Sequence, residues 1–376
     1  MSDFMNVLQV TAALEQGGVE RGTVEMAAFI VTRGAGSFVA SQGGRMVAEL
    51  ESQGSTHICL PLAQRNPFKI LYSALQLKKI IEREKISLVH ARSRAPAWAA
   101  LLACRLTGVP FITTFHGTHR IQNRLKKLYN SSMVRGCRVI AISRFIRQHV
   151  IDNYGVSETL IDIAPRGFNP EIFNRDLLSA AHLDALKAEL KLADDVPVIS
   201  LPGRLTRWKG QELFLEALAG LKDLPWHAIL IGGATKRSQY VEQLHELVKR
   251  EGLEERVTFA GNRTDIEYFY ALSDLVVSAS MEPEAFGRVA VEAQALGVPV
   301  VASAHGGSLE TIQDGVTGWY FENGNPTDLS AKIRLALSAP KQLEQVGKNA
   351  RRWAFDHFTI DRMCRAEWQA YQKVLA

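Results

Sequence analysis

The stretch SASMEPEAFGRVAVEAQALGVPVVASAHGGSLE, residues 278–310, decides how the chain is to be read. Val276 and Val277 end an apolar run, small residues follow, and Glu284 stands just ahead of Phe286 and Gly287. From Arg288 the pattern RVAVEAQAL predicts a buried helix stopped by Gly297 and Pro299, so a strand hands over to a helix here. In open α/β sheets, ligands sit outside the carboxyl ends of the strands, where loop backbone and helix N-terminus both offer N–H donors. Gly287 lets a charged group come close to the backbone. Glu284 precedes the predicted helix and Glu292 lies about one turn inside it, an arrangement suited to a ligand with hydroxyls at two ends. A second apolar run, 298–303, leads into Gly306-Gly307, and Glu310 opens the next turn. Taken alone, Glu292 is equally well a charge on a helix surface.

The same grammar recurs upstream. Residues 198–201 predict a strand that runs into Gly203-Arg204-Leu205-Thr206-Arg207-Trp208-Lys209-Gly210. Arg204 and Lys209 flank a helix start, and two cations beside a helix N-terminus match a diphosphate; a basic surface loop is the alternative. Further strands are predicted at 228–231, 257–259 and 275–277, the first two ending in Gly232-Gly233 and Gly261-Asn262-Arg263. Beyond Thr327 the chain reads as helical to its end, with a break near Asp356-His357.

In the first half, predicted strands at 7–10, 38–40, 57–60, 88–90, 111–114 and 139–142 alternate with helical patterns, which means a parallel sheet with right-handed crossovers. Gly17-Gly18 after the first strand is either a phosphate-cradling turn or a flexible loop. His116 follows the strand FITTF. His90, Arg92 and Arg94, in HARSRAPAW, occupy another strand end and are either acceptor-pocket residues or solvent-facing. Ser143 reads as a helix N-cap. The prolines and glycine of PRGFNPEIF, 165–173, mark a hinge, giving domains at 1–168 and 174–355 and a final helix at 358–376.

Length and composition agree with two folded domains: 376 residues, 47% hydrophobic and 22% charged. No run approaches the eighteen or so apolar residues of a membrane span, and MSDFMNVLQV lacks the features of a secretory signal, so the expected location is the cytoplasm. Cys59, Cys104, Cys137 and Cys364 are scattered, without metal-ligand or redox spacing, and read as free thiols. The net charge of +5 is unevenly placed: residues 1–170 carry +10 and the remainder −5. Between 60 and 150 there are 17 basic residues against Glu82 and Glu84, which implies an anionic partner: nucleic acid, an acidic membrane surface or an acidic acceptor.

The spacing of Glu284 and Glu292, the Phe286-Gly287 pair, Gly306-Gly307 with Glu310, and the G-R-L-x(3)-K-G pattern at 203–210 resemble the signature of the retaining glycosyltransferases of family GT4. That resemblance implies an α/β protein of the GT-B fold, two Rossmann-like domains facing across a cleft, with the last helix crossing back onto the first. It implies that Gly203, Arg204 and Lys209 grip a nucleotide diphosphate and that Glu284 binds sugar hydroxyls, with Phe286 and Gly287 supplying backbone contacts. Glu292 then binds the ribose, the loop at Arg263 receives the base, and Arg288, Gly306 and Gly307 complete the donor side. In the first domain, Gly17 and Gly18 line the donor phosphates, His116 contacts the transferred sugar, and His90, Arg92 and Arg94 are the acceptor candidates.

QRNPFKI, HARSRAPAW, TTFHGT, GRLTRWKGQE and PEAFGRVAVEAQ are similar to stretches of bacterial lipopolysaccharide core glycosyltransferases, mannosyltransferases among them. The expectation is a GDP- or UDP-linked sugar donor as substrate and no cofactor. No D-x-D triplet occurs, so no metal is expected. The expected acceptor is an anionic glycan or lipid-linked molecule rather than nucleic acid. The enzyme would sit peripherally on the inner membrane face, through a basic run that includes Arg120, Arg124, Lys126, Lys127 and Arg135. A nucleotide-sugar isomerase on the same fold and a non-catalytic protein that binds anionic surfaces are the rival readings.

Overall fold

A computed structural model describes residues 5–15, 17–64, 66–119, 121–234 and 239–376. The chain divides into two units, 1–166 together with 360–376, and 167–359.

The first unit alternates strand and helix: β1 (Asn6–Val10), α1 (Gly18–Thr32), β2 (Gly36–Ser41), α2 (Val47–Ser52), β3 (Thr56–Cys59), α3 (Pro67–Arg83) and β4 (Leu88–Ala91). It continues with α4 (Arg94–Thr107), β5 (Phe111–Phe115), α5 (Arg124–Asn130), β6 (Arg138–Ala141), α6 (Arg144–Tyr154) and β7 (Ile161–Ile163). All seven strands are parallel, in the order β3-β2-β1-β4-β5-β6-β7. Strand β4 is buried along its whole length, and β1 everywhere but Asn6, as expected for strands covered on both faces. The helix ends are chemically marked: Asn66 caps α3 ahead of Pro67, and the Ser143 hydroxyl accepts from Ile146 N at 3.0 Å, so Ser143 is the N-cap it was expected to be.

The second unit holds α7 (Ala180–Glu189), β8 (Val198–Pro202), α8 (Gln211–Ala219), β9 (His227–Ile231), α9 (Gln239–Arg250), β10 (Val257–Gly261), α10 (Ile266–Leu272) and β11 (Leu275–Ser278). After these come α11 (Arg288–Ala295), β12 (Val300–Ser303), α12 (Ser308–Thr311), β13 (Gly318–Phe321), α13 (Pro326–Leu337) and α14 (Pro340–His357). Its six parallel strands run in the order β10-β9-β8-β11-β12-β13. The core between sheet and helices is built from Leu201, Phe214, Leu218, Trp226, Leu230, Val277 and Trp319, among others.

The last helix, α15 (Ile360–Leu375), belongs to the first unit. Its Met363, Cys364, Ala370 and Tyr371 join Val7, Met26, Ile30, Leu88 and Ile140 in one buried cluster, and Lys373 reaches Asp162 of β7 at 2.6 Å. The chain breaks between α14 and α15 where the Phe358 carbonyl accepts from Phe168 N at 2.8 Å, one to two residues beyond the expected break.

Strand order reverses at one place in each sheet, between β1 and β4 and between β8 and β11. At such a point the loops on either side lead away in opposite directions and open a crevice at the strands' carboxyl ends. The sequence motifs collect there.

Candidate active site

In the second unit the loops after β8 and β11 are packed onto each other by backbone contact. The Met281 amide donates to the Trp208 carbonyl at 2.7 Å. Gly210, at φ 73°, leads into α8, and a Cβ there would lie 2.0 Å from the Ala279 carbonyl oxygen, so no other residue lets the two loops meet. The result brings Lys209 against Glu284, Nζ to Oε1 at 2.5 Å, with the two side chains only 15 and 17% exposed. A cation and a carboxylate from two loops thus stand together at the switch point.

Glu284 is held on three sides. The Ser280 hydroxyl donates to the same Oε1 at 2.6 Å, and the Glu284 carbonyl accepts from Gly307 N at 2.7 Å. His305 Nε2 donates to the Ser280 carbonyl at 2.7 Å and so fixes the loop that carries the serine. Gly307 is required by packing: a Cβ would stand 2.5 Å from the Phe286 Cα. Gly306 lies equally close to the backbone of Glu284. These two glycines therefore press the loop after β12 onto the one that presents Glu284. Phe286 anchors that loop from below, buried and edge-on to Phe358.

Glu292 lies in the second turn of α11 and is buried. It accepts from Arg288 at 2.6 Å and from the Tyr270 hydroxyl at 3.3 Å, and burial together with this carboxylate raises the Tyr270 phenol well above its usual range. Arg204 extends from the loop after β8, is exposed, and meets no side-chain partner among the described residues. Its carbonyl accepts from the buried Gln211 side chain at 3.0 Å, which fixes the backbone from which it projects. Arg263 is otherwise engaged: it forms a two-pronged pair with Asp265 at 2.9 Å and a bond to Glu189 at 2.8 Å. The guanidinium holds the Asp265 carboxyl down to about 2. The Arg263 side chain is thus committed to carboxylates of its own loop and of α7.

In the first unit, Gly17 ends the loop after β1 as the N-cap of α1, and Gly18 is the first residue of that helix. His116 follows β5 directly. Both its ring nitrogens are buried without a hydrogen-bond partner, and burial, then the charges of Arg166 and Arg92, push its pKa well below the usual histidine value. The imidazole is thus neutral, with one donor and one acceptor unsatisfied, which is costly unless a ligand meets them.

His90 and Arg92 correct the expectation. Neither is an open acceptor group nor solvent-facing. His90 is fully buried, with Nδ1 2.7 Å from the Tyr371 hydroxyl and Nε2 2.6 Å from the Thr114 hydroxyl. Arg92 spends its guanidinium on Glu367 of α15, at 2.5 and 3.2 Å, and on Gln9 at 2.6 Å. A buried charge must be paired, and α15 supplies the pair. Arg94, the first residue of α4, donates to Asn130 at 3.1 Å.

Two family descriptions match the chain: Glycosyltransferase Family 4 over residues 16–172 and Glycosyl transferases group 1 over residues 184–353. A glycosyltransferase from Rickettsia africae is 36% identical, superimposes with a TM-score of 0.93 and is covered over 99% of each chain. The chain belongs to the family 4, group 1 glycosyltransferases. Anabaena HepE, in complex with UDP, is 25% identical with a TM-score of 0.85, over 98% of this chain and 100% of that one. A GDP-mannose-dependent phosphatidylinositol monomannoside mannosyltransferase of Mycolicibacterium smegmatis is 27% identical over 76% of each chain. The two parallel-sheet domains of this glycosyltransferase are those of the GT-B fold.

Several residues that shape these strand-end loops, in one unit or the other, carry no sequence signal. Ser280, Trp208 and Tyr270 act through contacts that only the folded loops create, and Gln9, Glu367 and Tyr371 are distant in sequence from the strand ends they complete. His305 stood beside the Gly306-Gly307 pair and was the one such residue within reach of a sequence argument.

Proposed function

We propose that this glycosyltransferase moves a hexose, with retention of anomeric configuration, from a UDP- or GDP-linked donor to a hydroxyl of a lipid-linked, anionic glycan of the cell envelope, lipopolysaccharide core included. The observation that carries the reading is the meeting of Lys209 and Glu284 at the β8/β11 switch point, with Arg204 projecting from the same loop. A leaving nucleoside diphosphate gains negative charge on its oxygens. Cations already in place stabilise that charge more in the transition state than in the ground state. Arg204 and Lys209 take this role. Glu284, held by Ser280, accepts from hydroxyls of the sugar, and Glu292 from those of the ribose. His116 offers its unsatisfied imidazole to the transferred sugar.

In this mechanism the acceptor hydroxyl attacks from the leaving-group face and the departing phosphate takes its proton, so no carboxylate acts as nucleophile. The cations are part of the chain, and transfer is independent of metal. The donor class is supported by the HepE complex with UDP and by the GDP-mannose dependence of the mycobacterial relative. The lipid-linked acceptor is supported by that relative's phosphatidylinositol substrate and by the basic first unit, which suits an inner membrane face.

A thermal-shift screen against UDP-, GDP- and ADP-sugars tests the reading, because a ligand of the native state raises its apparent stability. One class of nucleotide sugar is expected to stabilise the protein, and transfer with that donor is expected to survive excess EDTA. Turnover of the donor to an isomer without acceptor, or activity that returns only with Mg²⁺ or Mn²⁺, would refute it.

A further inference from the structure

Helix α3 has two apolar faces. One packs inward through Ala74, Leu77, Ile80 and Ile81. The other consists of Phe68, Leu71, Tyr72 and Leu75, at spacing i, i+3, i+4, i+7, and these four large side chains are 46 to 83% exposed. Isolated exposed apolar residues are ordinary; a helical stripe of four is not. Helix α5 repeats the pattern on a smaller scale, with Leu125 78% exposed beside Arg124 and Lys127, and with Leu128 also exposed.

The two helices lie in one layer. Right-handed crossovers place the connections from β3 through β7 on one face of the sheet, and α3 packs against α4, which holds the end of α5 through Trp98 Nε1 to the Tyr129 carbonyl at 3.0 Å. Each follows the carboxyl end of its strand through a connection of seven (60–66) or eight (116–123) residues, so the first turns of both helices lie toward the end of the sheet from which the segments with Gly17 and His116 also leave. Charge narrows the choice of occupant. No Asp or Glu occurs from Leu60 to Ile81 or from Lys85 to Ile151, while Lys69, Arg124, Lys126 and Lys127 lie along these two helices. A second copy of the chain seated on this surface would bring like charges together.

We propose that the first turns of α3, with α5 beside them, insert shallowly into an anionic lipid leaflet and hold the acceptor edge of the first unit against it. The inference rests on the membrane-borne acceptor proposed above and supplies the element that docks. Apolar side chains entering the headgroup boundary and flanking cations attracted to anionic lipid act together in such a helix.

Flotation with phosphatidylglycerol–phosphatidylcholine vesicles and with pure phosphatidylcholine vesicles, at low and high salt, tests it. Wild type is expected to float with the anionic vesicles. The Phe68→Ser/Leu71→Ser variant is expected to lose on the order of a hundredfold in partitioning, while its stabilisation by the nucleotide sugar stays as in wild type. In Phe68→Trp, brominated lipid is expected to quench more emission than in the parent, which reports insertion without removing an apolar group. Binding by wild type that the double serine variant shares in full would overturn the proposal, as would failure of wild type to float. A wild-type dimer in solution that the serine variant converts to monomer would overturn it by assigning the stripe to a second copy. Nucleotide-sugar stabilisation is read separately, so failure of the docking surface and failure of the glycosyltransferase reading give different results.

Discussion

Replacing Glu284 by Gln separates two jobs that one contact joins. In the free protein, Lys209 donates to Glu284 at 2.5 Å, Ser280 donates to the same oxygen, and the pair is only about one-sixth exposed. A hydrogen bond to a charged group contributes about 1.5 to 3 kcal/mol. In the proposed mechanism a diphosphate that recruits Lys209 must share or displace that bond, so the carboxylate would hold back free nucleotide and favour the intact donor, whose sugar hydroxyls would take the place of Lys209 on the carboxylate. The Gln side chain keeps the shape and loses the charge. Free nucleoside diphosphate is then expected to bind as well as in wild type or up to about tenfold more tightly, while the rate of sugar transfer falls by roughly a hundredfold. Titration calorimetry with UDP and GDP, alongside single-turnover transfer with the matching sugar donor, measures both quantities. Weakening of free nucleotide and intact donor by the same factor would show that Glu284 serves only to hold Lys209 in position, and the proposed contact with the sugar would be wrong.

Arg204→Ala removes an exposed guanidinium that meets no partner among the described residues, so transfer is expected to fall by about ten- to a hundredfold with the thermal midpoint unchanged; near-normal turnover would remove its proposed leaving-group role. Glu367→Ala strands the buried Arg92 charge and is expected to cost the first unit about 3 to 5 kcal/mol, measured by denaturant unfolding. Arg92→Met/Glu367→Leu is expected to recover most of that loss, and a double variant as unstable as the single one would refute a charge-pairing account. Burial keeps His90 and His116 neutral, and with help from Arg94 it lowers His119 to about 3, whereas in the unfolded chain a histidine takes up its proton near pH 6.5. Below that pH the unfolded state binds more protons than the folded one. Stability is therefore full above pH 6.5 and falls as pH drops toward 5, by up to about 1.4 kcal/mol per pH unit for each histidine; a thermal midpoint that is flat between pH 5 and 7 would contradict this.

Most of the framework was legible because each buried parallel strand is a short apolar run ended by small or glycine residues. Strands at 7–10, 111–114, 198–201 and 275–277 appear in the structure with a residue added at one end. Strand β13, GWYF, escaped notice: it is a four-residue edge strand between a polar turn and a helix, and only its pairing with β12 makes it a strand. The helical reading from Thr327 onward missed the stop before Pro340, although proline at the first position of a helix is itself a start signal. Register was beyond reach, and register is what places Gln9 opposite His90 and so beside the Arg92 that it binds.

The unequal success at the two sets of strand ends has a physical cause. In the second unit, the glycines that allow the loops to touch lie in the same short stretches as the charges they position: Gly210 follows Lys209, and Gly306 and Gly307 stand in the 278–310 stretch that also holds Glu284. Motif and geometry there are the same short segment. In the first unit, a polar residue at a strand's carboxyl end can be turned to a ligand or consumed by the protein, and the deciding partner is a helix more than two hundred residues downstream. Glu367 and Tyr371 sit one turn apart on α15 and meet Arg92 and His90, which alternate along the end of β4 with the same facing. That match of helical and strand periods closes off two of the strand-end groups. His116 is the half-buried residue beside them whose ring nitrogens are buried and left unsatisfied. The same pairing that consumes His90 and Arg92 leaves the His116 imidazole with donor and acceptor unmet, and it is on this that the proposed contact with the sugar rests.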